Sequence, residues 1–227
     1  MSQASVTGSQ TPTVLPRNLK QLQNLHFKHL KESRLSRDDL YNLHEIAYDI
    51  DGFVHKIITY QDLTCICDLG TIMNEANKVL QLKDPGQLLS YGTTFQMGDF
   101  YVSTLLFRHL IFQENPCIPA IFMIHERKFT ETHQELFKQA RNLIPSLKSS
   151  QSCIVTDREN AIMKAIELEL PTLHHLQCWN HLHRDIRFWL RKHGAPNTDI
   201  AVYIDDISHM LQSHTEEEYN NHLSTFF

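Results

Sequence analysis

The chain reads as an α/β protein, a mixed β-sheet flanked by helices and preceded by an N-terminal helical extension. Two observations predict it. From Leu88 onward, short runs rich in Val, Ile and Phe are first consecutive and then alternate with amphipathic stretches, in the order β-β-β-α-β-α-β-α. Three strands joined by hairpins and then strand–helix alternation describe a mixed sheet with helices packed on it. Before residue 85, by contrast, leucines recur at helical spacing. With 227 residues, 41% of them hydrophobic, the chain can bury one sizeable core, or one core and a small helical accessory.

Residues 1–16 are rich in Ser, Thr, Gln and Pro and read as a disordered leader. Residues 17–84 read as the helical accessory region. Leu19, Leu22, Leu25 and Leu30, then Leu40, Leu43 and Ile46, mark two helices, with Ser36 as the cap dividing them. Lys20, Lys28, Lys31, Arg34 and Arg37 in this segment form either a basic patch facing nucleic acid or a solvated helix face. "DLTCICDLG" is a short apolar run, and "TIMNEANKVLQL" is a helix capped by Thr71.

Residues 85–227 carry the sheet. "QLLSYGTTF" and "DFYVSTLLFRHLIF" are strands about a Gly98-Asp99 turn, and "IPAIFMIHERKF" is the third. "TETHQELFKQARNLI" is a helix capped by Thr130 or Thr132 and stopped at Pro145. "SCIVTD" is the fourth strand, "RENAIMKAIELEL" a helix stopped at Pro171, and "LHHLQCW" the fifth strand. The helix "NHLHRDIRFWLRKHG" ends at Gly194, and "DIAVYIDDISHMLQS" and "TEEEYNNHL" close the chain as helices. The RNase H-like fold is one of the few that begin this way.

A net charge of −5 supplies no global field for nucleic acid, so any such contact needs a local patch. The five cysteines, at 65, 67, 117, 153 and 178, form no paired framework and read as reduced thiols of an intracellular protein. The N-terminus has no signal-peptide core and no apolar run reaches membrane-spanning length, so a soluble protein is expected.

Asp157 has the strongest local logic for chemistry. It ends a buried strand just before a helix, where functional side chains of open α/β sheets collect. It equally suits an N-cap, and Thr156-x-x-Glu159 matches a capping box. Cys178 and His181, three apart, could present a thiolate and an imidazole to one centre, but two ligands are half of a tetrahedral zinc site. The same pair raises a cysteine–histidine hydrolase, for which nothing supplies an orienting third group or an oxyanion hole.

In combination, "LSYGTTFQMGDFYVSTLLFRH", "NPCIPAIFMIHERKFTETHQELF", "IVTDRENAI" and "LQCWNHLHRDIRFWLRKHG" resemble the catalytic domain of Mutator-like element (MULE) transposases, of the DDE and RNase H-like superfamily, over about residues 85–195. The resemblance places Asp157 on the family's second acid and Cys178-Trp-Asn-His181 on its C-x-x-H signature. It places the first acid at Gly92, where "YGTT" replaces an expected Asp-Thr-Thr. Such acids hold two divalent cations, Mg2+ or Mn2+, about 3.5–4 Å apart, which activate the attacking oxygen and neutralise the leaving one. A residue without a side chain cannot serve there, and Asp99 in the following turn is not expected to rescue the site.

The third acid is expected on a helix after the C-x-x-H element. Glu216, Glu217 and Glu218 are the dense cluster there, and Glu217, taken as the candidate, equally suits a helix N-terminus where acids favour the dipole. The resemblance further implies a nuclear location, DNA as partner, a homo-oligomer as one assembly, zinc as a candidate ligand of Cys178 and His181, and a family chain that continues beyond "STFF". The expectation is a degenerate or domesticated transposase-derived domain, impaired through Gly92 and retaining DNA or protein binding. The alternative is an active metal-dependent transposase or nuclease acting on DNA phosphodiesters.

Overall fold

A computed structural model of the chain describes residues 20, 23–24, 38–50, 52–84, 86–97 and 99–226. The expected leader, the cap at Ser36 and most of the basic segment lie outside these residues; Lys20 is helical and exposed. The chain divides into two compact units, residues 1–50 and 51–227.

The first unit contains helix α1 (Asp39–Asp49). Its N-cap is Asp38, whose Oδ1 accepts the Leu40 N–H at 2.9 Å and the Tyr41 N–H at 3.2 Å. A carboxylate there meets two of the amides that a helix start leaves unpaired.

The second unit is built on a seven-stranded mixed sheet. Its strands are β1 (Val54–Ile58), β2 (Thr64–Asp68), β3 (Leu88–Met97), β4 (Phe100–Arg108), β5 (Cys117–His125), β6 (Cys153–Thr156) and β7 (His174–Gln177), arranged β1-β2-β5-β4-β3-β6-β7. The pairs β1–β2, β2–β5, β5–β4 and β4–β3 are antiparallel; β3–β6 and β6–β7 are parallel. Helices α2 (Gly70–Gln81), α3 (Thr130–Leu143) and α4 (Asn160–Glu169) and the 3-10 turn Pro145–Lys148 supply one layer of the core. Met73, Val79, Leu136, Phe137, Ile162 and Ile166 from these helices meet alternate strand residues Leu89, Tyr91, Leu105, Phe107, Ile121 and Met123. Helix α5 (Trp179–Lys192) follows β7, and α6 (Asn197–Gln212) contacts both α5 and α7 (Glu216–Phe226). None of the described helices is long and apolar enough to cross a membrane.

Two expectations need correction. The 17–84 region is not wholly helical: β1 and β2 lie in it and extend the same sheet, so no break falls at residue 85. All five residues of β2 are buried, and a strand buried on both faces shows no alternation by which its type could be read. The expected caps are also displaced. Helix α2 begins at Gly70 and α3 at Thr130, with Leu69 and Phe129 as N-caps and no side-chain cap bond, so neither Thr71 nor Thr130 nor Thr132 caps. Thr156-x-x-Glu159 forms no capping box, because α4 starts only at Asn160 with Glu159 as its N-cap.

Gly194 does end α5. Its φ is +85°, its N–H donates to Arg191 O at 3.1 Å, and the Ala195 N–H donates to Leu190 O at 3.1 Å. This pair of bonds around a left-handed residue is the Schellman arrangement.

Candidate functional site

The parallel pairing of β3 with β6 sets the centre of the site. Leu89 lies opposite Ile154 and Ser90 opposite Val155. Continued by two residues, that register brings Gly92 of β3 level with Asp157, the residue just past the end of β6. Gly92 pairs with Thr104 of β4 on its other side. A Cβ built at Gly92 would meet no heavy atom within 4 Å, so the space that a side chain would take is open.

Asp157 is half-buried, and its Oδ1 accepts the Glu159 N–H at 3.2 Å. That bond turns the chain between β6 and α4. Thr156 beneath it is buried; its hydroxyl donates to Asp157 O at 2.7 Å and lies 2.7 Å from His175 Nε2 on β7. Burial lowers the pKa of His175 against the opposing influence of Glu167.

Glu159 is the second acid of the group. Burial raises its pKa, Lys128 opposes that rise, and Asp157 adds to it. Lys128 Nζ lies 3.8 Å from Glu159 Oε2 and 4.6 Å from the centroid of the Tyr101 ring. The sequence reading missed Lys128 altogether and saw Glu159 only as a cap. Their meeting joins the end of β5 to the start of α4 across 31 residues (159 − 128), which local pattern does not reveal.

On the helix-covered face lies a polar network that was also missed. Tyr91 Oη is 2.7 Å from His133 Nδ1, and both side chains are buried. Thr93 Oγ1, Ser103 Oγ and His125 Nε2 follow one another at 2.8 Å, and His125 Nδ1 donates to Arg127 O at 2.7 Å. That last bond places the proton of neutral His125 on Nδ1 and leaves Nε2 to accept from Ser103. Burial first, then His125 and Lys128, push the pKa of His133 down to about 3. The only sequence signal for this network was the high histidine count.

Cys178 is the N-cap of α5, and its N–H donates to Thr156 O at 2.7 Å. The C-x-x-H element is thereby tied to the end of β6. His181 Nδ1 is buried without a hydrogen-bond partner among the described residues. Glu217 lies exposed in the first turn of α7. Its neighbour Glu218 is engaged locally, accepting the His214 N–H at 2.8 Å while its own N–H donates to Thr215 Oγ1 at 3.1 Å. Asp99 lies exposed in the β3–β4 turn.

Among the described residues no cluster of three or more His, Cys, Asp or Glu side chains could hold a metal ion. The donors at hand therefore do not fit a two-cation centre. Gly92 offers no oxygen, and Glu159 already faces an ammonium. Cys178 and His181 likewise supply two of the four ligands that a closed zinc site needs.

No curated protein matches the chain. Residues 88–185 match the family model described as the MULE transposase domain. The match ends before Glu217, covers less than half of the chain, and takes in Gly92, Asp157, Cys178 and His181. The segment that brings Gly92 beside Asp157 is thus similar to the MULE transposase domain.

Proposed function

We propose that residues 51–227 are a transposase-derived, RNase H-like domain whose two-cation phosphodiester chemistry is impaired at Gly92, and which acts by binding DNA in the nucleus. The observation that carries this reading is the register of β3 on β6. Continued by two residues it brings Gly92 level with Asp157, and the open space around a Cβ at Gly92 supports reading that position as the place of a lost first acid. The chain order supports the fold assignment: three strands joined as hairpins, then two parallel strands reached through α3 and α4. The family match over residues 88–185 supports the descent.

Calorimetric titration with MgCl2 tests the reading. The wild-type chain takes up no tightly bound pair of cations, and Gly92→Asp increases the uptake. Magnesium-dependent nicking or joining of DNA by the wild type, lost in Asp157→Asn, would overturn the reading in favour of an active transposase or nuclease.

A further inference from the structure

We propose that the outward stripe of α5 is a binding surface for the phosphate backbone of duplex DNA, independent of base sequence. The proposal rests on the DNA-binding reading above and names the surface responsible.

At 3.6 residues per turn, Arg184, Arg187, Phe188 and Arg191 fall on one face of α5, and all four are exposed. Lys192 lies exposed beside them. The opposite face is apolar: Ile186, Trp189 and Leu190 line a groove with Tyr203 and Ile207 of α6. The helix therefore turns its hydrophobic side to the neighbouring helix and its cations outward.

The charge balance separates this stripe from an ordinary solvated helix face. Surface helices usually interleave opposite charges three or four residues apart. Here Arg184 and Arg187 are three apart, and Arg187 and Arg191 four apart, so each meets a like charge. Asp185, 3.8 Å from Arg184, is the single acid of the helix. Among the described residues neither Arg187 nor Arg191 has a carboxylate partner. Four cations against one acid make α5 +3, in a chain whose total is −5. Like charges held in register repel one another, and a polyanion laid along them relieves that repulsion. From Arg184 to Arg191 is about 10 Å at the helical rise of ~1.5 Å per residue. Duplex DNA carries one charge for about every 1.7 Å of its axis, so successive phosphates are available along that length.

Position strengthens the case. The bond from Cys178 N to Thr156 O fixes the start of α5 at the end of β6, next to Asp157. The first arginine of the stripe, Arg184, follows this anchored helix start by six residues (184 − 178). Phe188, 69% exposed between the arginines, offers an apolar contact to the sugars.

The test is fluorescence anisotropy of the full chain with a labelled duplex of arbitrary sequence, titrated at several salt concentrations. Each phosphate contact contributes about 0.9 to the slope of log K against log salt, so Arg184→Gln/Arg187→Gln/Arg191→Gln is expected to lower the slope by roughly 2–3. Circular dichroism of the variant checks that the helix persists. An unchanged slope in a folded variant, no binding by the wild type at low salt, or tighter binding to polyglutamate than to the duplex would each overturn the proposal. Nicking of the same duplex with MgCl2 is scored separately. Its appearance would overturn the impaired-site reading and leave the salt-slope result standing.

Discussion

Lys128 Nζ faces Glu159 Oε2 at 3.8 Å while lying 4.6 Å from the Tyr101 ring centroid, and Glu159 in turn feels the charge of Asp157. An ammonium thus stands against the acidic pair where a divalent cation would compete with it. Lys128→Gln removes that competitor. In the Gly92→Asp background it is expected to tighten Mg2+ binding by at least about tenfold, or ~1.4 kcal/mol. It should also raise the pKa of Glu159, since Lys128 is the influence that lowers it. Calorimetry of the single and double variants, with carboxyl NMR of Glu159, checks both outcomes.

Gly92→Asp is expected to fold normally. The position is open to a Cβ, and its backbone is not in the left-handed region that favours glycine. Two modest effects oppose each other. Loss of glycine's freedom in the unfolded chain stabilises, while aspartate's poor strand propensity destabilises. The net change should fall within about 1 kcal/mol either way in a urea melt. A loss of several kcal/mol would mean that the apparent space is filled on folding.

Adjacency of β3 and β6 was legible only through the family resemblance: the helix before β6 follows β5, which lies two strands from β3 in the sheet, so connection order alone does not pair them. Gly194 was legible for a local reason: only its backbone freedom suits the end of that helix. Thr71 and Thr130 misled because the helices start earlier than their hydroxyls suggest, by two residues and by one, and Leu69 and Phe129 occupy the cap positions. β2 escaped because "TCICD" is too short and too uniformly buried to show a period. Tyr91 and His133 meet across 42 positions, and Lys128 and Glu159 across 31 (159 − 128). No local periodicity encodes such pairs; only the assembled sheet brings them together.

His133 should make the fold acid-sensitive. It is fully buried, and its pKa is pushed down to about 3 in the folded chain, against 6.5 for a free imidazole. Below pH 6.5 the unfolded chain takes up a proton that the folded one refuses. Its contribution to stability is therefore present above pH 6.5 and is lost progressively as pH falls towards 3. The full loss amounts to a few kcal/mol, about 1.4 for each unit of pKa difference. Urea melts at intervals down to pH 4 should show this decline, added to the smaller one from His125, whose pKa burial also lowers. His133→Gln keeps a polar partner for Tyr91 and should flatten the decline. An equally steep pH dependence in that variant would exclude His133 as a source.

Gly194→Ala tests the last turn of α5, which carries Arg191 and Lys192. With φ at +85°, a Cβ at this position is strained even though nothing crowds it, since the strain is within the residue's own backbone. The cost is expected to be about 1–2 kcal/mol, drawn from the left-handed penalty for an L-residue. Because the Schellman bonds run from Gly194 to Arg191 and from Ala195 to Leu190, their loss should fray that turn first. Hydrogen exchange at the amides of 194 and 195 should accelerate while amides of β3 and β4 keep their protection. If DNA affinity is carried by the cationic stripe, the same variant should bind the duplex more weakly. Its salt slope should fall by no more than about two contacts' worth, ~1.8, because Arg184 and Arg187 remain on intact helix.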